Sequence, residues 1–129
     1  MVRKIMYMGD TDVVNKGQSG LLDIAKKKLN KMVLKEFRDD VGRIGFSVDN
    51  FIVSAKKSTY GYIVSTHKSL VELAKQQNKK ILMYIGENDA FYEFDPDEII
   101  KTGAINRRGH EEMWNFDIKM GVVYKFHEK

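Results

Sequence analysis

The chain has 129 residues, of which 43% are hydrophobic and 31% charged, proportions typical of a globular protein rather than a disordered one. This length predicts one domain over 1–129, with a core large enough to fold without disulfides or a structural metal. Because the chain contains no cysteine, thiol nucleophiles and cysteine-ligated zinc or iron–sulfur sites are excluded. No segment approaches the roughly 20 apolar residues that span a bilayer, so we expect no membrane partner and a cytoplasmic or otherwise intracellular location.

The formal net charge is +4, from 22 basic and 18 acidic residues, a surplus that favours polyanionic partners only weakly. The charges are unevenly distributed along the chain. Acidic residues concentrate between positions 87 and 98, and basic residues cluster at 26–28, 56–57, 79–80 and 107–108. This separation would suit self-association into a homodimer, or binding to a charged protein partner.

The first elements predicted are strands and a helix. Residues 2–8 form a candidate strand, and apolar residues then recur at helical spacing from Leu21 to Met32, with Ser19 as the cap. A further strand is predicted at 32–37, where it ends at charged residues.

A β-hairpin follows, in which two short apolar runs, 46–48 and 51–53, flank Asp49-Asn50. This pair tolerates the left-handed backbone that a two-residue hairpin turn needs. Because side chains alternate between the two faces of a strand, Ser54 and Lys56 should face the same space.

The second half of the chain predicts two helices and three strands. Ser65-Thr66 caps a helix over about 67–78, and the continuous apolar run at 81–85 is typical of a strand covered on both faces. Asp95-Pro96 is a strong start for a second, short helix. Further strands are predicted at 90–94 and 122–126, and an exposed basic loop at 106–110.

These elements predict an α/β fold in which helices flank a central mixed sheet. Their order over roughly 17–94, namely helix, strand, hairpin, helix and apolar strand, resembles the core of the PD-(D/E)XK nuclease superfamily, which includes restriction endonucleases and Holliday-junction resolvases. In that family an Asp begins one hairpin strand and an acid-x-Lys triplet lies on the next. The acids hold magnesium, and the Lys helps to orient the attacking water. The resemblance implies a restriction-endonuclease-like domain whose partner is nucleic acid, with DNA expected first.

Ser54-Ala55-Lys56 occupies the place of the triplet, and Gly45 occupies the place of the Asp. The resemblance therefore makes Lys56 and Ser54 the candidate catalytic residues. Magnesium is a hard cation held by carboxylate oxygens, whereas glycine has no side-chain ligand and a serine hydroxyl is neutral. A site with these residues should bind magnesium weakly, so we expect a nucleic-acid-binding protein with little or no cleavage.

Two alternatives stay open. The first is an active endonuclease that takes magnesium as its cofactor through substitute acids, with Asp40 and Asp49 as candidate ligands and Asp39 as a third. The simpler explanation is preferred for each, namely that Asp49 is the hairpin turn residue and that Asp39 and Asp40 are solvated residues at a strand end, although a register shift could bring one of the last two toward Lys56. The second alternative is a regulatory domain without enzymatic activity that binds another protein.

Nucleic acid is held by lysine and arginine at the phosphates and by aromatic rings at the bases. Each candidate is also explained as an ordinary surface residue, and the three histidines are too widely spaced to form a metal-ligand pattern. The candidate contacts, besides Lys56, are Lys57, Tyr60, Tyr62, His67, Lys68, Arg107, Arg108 and His110.

Overall fold

The hairpin predicted around Asp49-Asn50 supplies the second and third strands of the larger of two β-sheets. The structure, a computed structural model, describes residues 18–39, 42–109 and 111–125. The candidate strand at 2–8, the candidate ligand Asp40 and the candidate contact His110 lie outside these residues. Within the described ranges, the predicted α/β fold with a central mixed sheet flanked by helices is confirmed.

The larger sheet has six strands in the order β1-β2-β3-β5-β6-β9. Strands β3 and β5 run parallel, and every other pair of neighbours is antiparallel. The parallel pair is joined by a crossover, which carries the chain out of this sheet and back again. The six strands are β1 (Lys35–Arg38), β2 (Arg43–Val48), β3 (Phe51–Lys56), β5 (Lys80–Ile85), β6 (Ala90–Phe94) and β9 (Val122–Lys125).

The smaller sheet has three antiparallel strands in the order β4-β8-β7. Its first strand belongs to the crossover between β3 and β5, and its other two come from the C-terminal third of the chain. The sheet is therefore held beside the end of β3 by chain connectivity. Its strands are β4 (Ile63–His67), β7 (Ala104–Arg108) and β8 (Glu111–Asp117), the last followed by a 3-10 turn at Ile118–Met120.

The three helices of the described residues cover the larger sheet from both sides. They are α1 (Gln18–Leu29), α2 (Lys68–Gln76) and α3 (Pro96–Thr102). Apolar residues of α1 pack with Phe46, Val53 and Tyr84 on one face. On the other face, α2, α3 and β8 enclose a second core that includes Ile52 and Met83. None of the three helices has the length and hydrophobicity needed to cross a lipid bilayer.

Several predicted elements are confirmed at the residues that predicted them. Asp49 takes a left-handed φ of 46° in the hairpin turn. Strand β5 is buried from Ile81 to Ile85, as its continuous apolar run predicted. Helix α3 begins at Pro96, with the Asp95 carboxylate accepting a hydrogen bond of 2.9 Å from the backbone N–H of Asp97.

The helix cap predicted at Ser65-Thr66 is wrong, because both residues lie inside β4. Helix α2 begins at Lys68, and the residue at its cap position, His67, makes no side-chain capping bond. Along β4, Val64 and Thr66 are buried whereas Ser65 is only partly buried. This two-residue period is the pattern of a strand, and pairing with β8 outweighs the local capping preference of a serine and a threonine.

Other boundaries also differ from the prediction. The strand predicted at 32–37 begins only at Lys35, and Met32 and Leu34 are exposed. The basic loop predicted at 106–110 is largely strand β7, every residue of which is exposed. Strand β8 was not predicted, because its polar start at Glu111 and its mixed pattern carry no clear period.

Gly45 lies where the backbone leaves no room for a side chain. A Cβ atom there would be 2.6 Å from the Val53 carbonyl oxygen and 3.2 Å from Cδ2 of Leu70. The neighbouring register is irregular, since Phe37 pairs with Gly45 whereas Arg38 pairs with Arg43, which leaves Ile44 unmatched. Steric exclusion therefore accounts for glycine at the position where the nuclease resemblance would place an acid.

We expect Gly45→Ala to lower the free energy of unfolding by about 1–3 kcal/mol, the usual cost of overpacking a well-filled core, and Gly45→Asp to lower it further because the added carboxylate would be buried. Urea denaturation measures both changes. Ser47→Ala, at a buried residue of the same strand, is the control because it adds no atoms. Wild-type stability in Gly45→Ala would contradict the steric explanation.

Candidate functional site

Five polar side chains from five different strands or strand ends meet at one edge of the domain. Strands β1 and β3 both run antiparallel to β2, so they finish at the same edge. Asp39 follows β1, Lys56 ends β3 and His67 ends β4. Arg108 ends β7, and Glu111 begins β8 opposite it in the register. Ligand sites form readily at strand ends, where side chains from separate segments converge without breaking the sheet.

Asp39, His67 and Glu111 form a tight group, called here the acid–histidine cluster. One carboxylate oxygen from each acid and one ring nitrogen of His67 all lie within 4.8 Å of one another. The Nδ1 atom of His67 is 2.8 Å from Oε2 of Glu111. Asp39 is held in place by Gly42, whose backbone N–H donates a 3.0 Å hydrogen bond to Oδ1 of Asp39. All three cluster residues are partly buried.

The charge state of His67 follows from its surroundings. Burial lowers its pKa, the carboxylate of Asp39 opposes that change, and the positive charge of Lys56 lowers the pKa further. The net effect is a lowered pKa, which favours the neutral form of the imidazole.

Lys56 is partly buried, and it is located beside a second cation. Burial is the main cause that lowers the pKa of Lys56, and the charge of Arg108 lowers it further. Along β3, Val53 and Ala55 pack on the α1 side, and Ile52 packs on the opposite side. By alternation Lys56 shares the side of Ile52 and Ser54.

Lys56 and Arg108 line a cleft of about 440 Å³, called here the basic cleft. Lys57, Tyr60 and Ser65 also line it. A second cleft, of about 290 Å³, is lined by residues that include His67, Lys68, Glu111 and Glu112, and is called here the acidic cleft. Ser65 and His67 lie two residues apart on one face of β4, so the two clefts are neighbours.

The candidate catalytic and metal residues lie in different places. Lys56 lies in the basic cleft, but Ser54 is completely buried and its Oγ has no hydrogen-bond partner among the described residues. Asp49 is in the turn before β3, at the opposite end of that strand from Lys56, and its carboxylate is 2.7 Å from Nζ of Lys31. Of the two substitute acids that the structure describes, Asp39 lies nearer Lys56, because both residues have His67 as a neighbour.

The predicted nucleic-acid contacts divide into separate groups. Lys57, Tyr60 and Arg108 line the basic cleft, whereas His67 and Lys68 line the acidic one. Tyr62 and Arg107, the other two candidate contacts that the structure describes, line neither cleft.

Lys68 has carboxylate neighbours already, with Nζ 3.3 Å from Oε1 of Glu112 and 3.8 Å from Oε2 of Glu72. Tyr62 lies under Lys119, whose Nζ is 3.9 Å from the ring centroid. Arg107 pairs in register with Glu112 and lies on the other face of β7 from Arg108. These three residues are therefore engaged with other groups or placed away from the basic cleft.

Comparison of the chain with models of protein families, with curated proteins and with solved structures finds no match. Function must therefore be inferred from the side chains at the site, because a fold class alone does not imply an activity.

The lowered pKa of His67 makes stability depend on pH. The unfolded chain takes up a proton near pH 6.5, whereas the native state does so only at a lower pH. The stability contributed by the neutral ring is present above pH 6.5 and is lost as the pH falls through the native pKa. We expect the free energy of unfolding to decline as the pH falls from about 7 through 6.5 and below, and His67→Gln to flatten that decline. Urea denaturation across this range measures it, with Ser65→Ala as the control on the same face of β4. Equal pH dependence in wild type and His67→Gln would refute this role.

Proposed function

We propose that this domain binds the phosphate backbone of a nucleic acid in the basic cleft, with DNA as the first expectation. The observation that supports this most is the pairing of two cations, Lys56 and Arg108, at one partly enclosed surface. Among the described residues, neither cation has a carboxylate within ion-pair distance. An arrangement that lowers the pKa of Lys56 is costly without an anion, and a phosphate between the two side chains would offset that cost.

The rim of the cleft suits the rest of a nucleotide. Tyr60 is 89% exposed, so its ring is accessible for stacking on an unpaired base. Lys57 is exposed beside it and would contact a neighbouring phosphate. Ser65 also lines the cleft, and its side-chain hydroxyl is hydrogen-bonded to Asn115. Cations around one aromatic ring are the combination that binds a single strand without sequence preference.

The same geometry supports weak or absent cleavage by the magnesium arrangement of PD-(D/E)XK nucleases. Gly45 has no space for a carboxylate, and Ser54 is fully buried and neutral. Neither residue offers magnesium the charged oxygen ligands that it prefers. Binding rather than hydrolysis is therefore the activity proposed for the hairpin and its lysine.

We expect Lys56→Ala and Arg108→Ala each to weaken binding of a single-stranded or duplex DNA oligonucleotide. Each should also reduce the slope of log affinity against log salt by about 1, since each removes about one phosphate contact. Fluorescence anisotropy at several salt concentrations measures both quantities. Lys101→Ala is the matched control, because Lys101 is exposed on α3 and does not line the basic cleft.

Absence of DNA and RNA binding by the wild type at low salt would contradict the proposal and favour a protein partner. An equal loss in Lys101→Ala would reduce the interaction to nonspecific attraction by net charge.

Lys56 should also give binding a characteristic pH dependence. Because burial and Arg108 lower its pKa, Lys56 loses its proton at a lower pH than an ordinary lysine, and its phosphate contact weakens there. We expect wild-type affinity to fall more steeply at alkaline pH than that of Lys56→Arg, since arginine stays charged throughout. Lys57→Arg is the control, with the same substitution at the exposed neighbour. Identical pH profiles for wild type and Lys56→Arg would contradict a role for Lys56 in binding.

A further inference from the structure

We propose that the acid–histidine cluster of Asp39, His67 and Glu111 binds one divalent transition-metal ion. The three residues come from the turn after β1, the end of β4 and the start of β8, so the site exists only in the folded chain. It lies outside the hairpin positions that the nuclease resemblance points to, and it does not depend on nucleic-acid binding.

The spacing of the three ligand atoms suits a single ion. Oxygen and nitrogen ligands lie about 2.0–2.2 Å from zinc, so two ligands of a tetrahedral ion are about 3.3–3.6 Å apart. The ligand atoms of the cluster all lie within 4.8 Å of one another. Side-chain rotations that shorten the longest of these separations by up to about 1.5 Å would bring the atoms to the spacing of ligands around one ion. The backbone therefore already places the three residues at a workable separation.

The ligand types favour a transition metal over magnesium. Imidazole suits zinc, copper, iron and nickel, and carboxylates suit manganese, whereas magnesium prefers an all-oxygen octahedral shell that keeps several waters. One imidazole with two carboxylates also leaves coordination positions open, as catalytic rather than structural sites do. The class of ion expected is therefore zinc or manganese, with magnesium bound much more weakly.

The surroundings give the ion access and part of the support that a site needs. His67 and Glu111 also line the acidic cleft of about 290 Å³, which provides an entry path and room for water ligands. Asp39 is oriented by the hydrogen bond from the Gly42 backbone, the kind of outer contact that fixes a metal ligand. The cluster is thus both accessible and partly preorganised.

Two neighbouring cations oppose the ion. The positive charge of Lys56 lowers the pKa of His67, and Arg108 lies opposite Glu111 in the register of β7 and β8. Their repulsion should weaken metal binding without abolishing it, because the two carboxylates of the cluster are closer to the ion. Removing the charge of Lys56 should therefore tighten metal binding, which a purely structural hydrogen-bonded cluster would not show.

The test uses the full chain, freed of metal with a chelator and titrated with zinc, manganese and magnesium at pH 7.5 by isothermal titration calorimetry. We expect one zinc or manganese ion per chain, an increase in the melting temperature with that ion, and much weaker binding of magnesium. Asp39→Asn, His67→Gln and Glu111→Gln should each weaken the affinity by at least about tenfold.

Glu112→Gln is the matched control, since Glu112 is the next residue of β8, bears the same charge and pairs with Lys68 instead. Lys56→Gln should raise metal affinity several-fold. Because this variant keeps all three ligands, it tests the proposal even if a ligand variant fails to fold. The proposal is overturned if no saturable binding with one ion per chain occurs, or if Glu112→Gln weakens binding as much as Glu111→Gln.

Discussion

The parallel pairing of β3 with β5 is the constraint on which the rest of the structure depends. Its register runs from Phe51 opposite Lys80 to Lys56 opposite Ile85, through the most completely buried part of the sheet. Parallel neighbours cannot be joined by a tight turn, so the chain must leave the sheet after Lys56 and return at Lys80. That excursion contains β4 and α2. It brings His67 close to the end of β3 and provides the strand to which β8 and β7 add.

Two opposite electrostatic environments result from this arrangement. In the basic cleft, burial lowers the pKa of Lys56, and the positive charge of Arg108 lowers it further. Two residues after Ser65 on β4, His67 has the carboxylates of Asp39 and Glu111 as neighbours. A surface with cations on one side and carboxylates on the other can hold a phosphate and a metal ion next to each other. The proposed binding function and the proposed metal site therefore share one edge of the domain while drawing on different residues.

Packing disfavours a carboxylate at the two hairpin positions where the nuclease resemblance would place one. At Gly45 the backbone of β3 lies where a side chain would begin, and at Ser54 the core encloses the hydroxyl completely. An acid at either position would be buried without a partner, which is among the costliest arrangements in a protein interior. The carboxylates available at this edge come instead from the turn after β1 and from β8, where the chain is partly solvated and a charged group can be accommodated.

Local patterns in the sequence determined the hairpin, the buried strand at 81–85 and the helix that begins after Asp95, because turn chemistry, continuous hydrophobicity and capping act over a few residues. They also identified Lys56 as sharing the face of Ser54, through the two-residue period of a strand. Only the tertiary structure decided that Ser65-Thr66 belong to a strand, since pairing with β8 outweighs their local preference. It also decided that Asp39, His67 and Glu111 meet. These residues are far apart in the chain and belong to three separate elements, so their contact depends on the crossover and on strand registry, which no short-range pattern encodes.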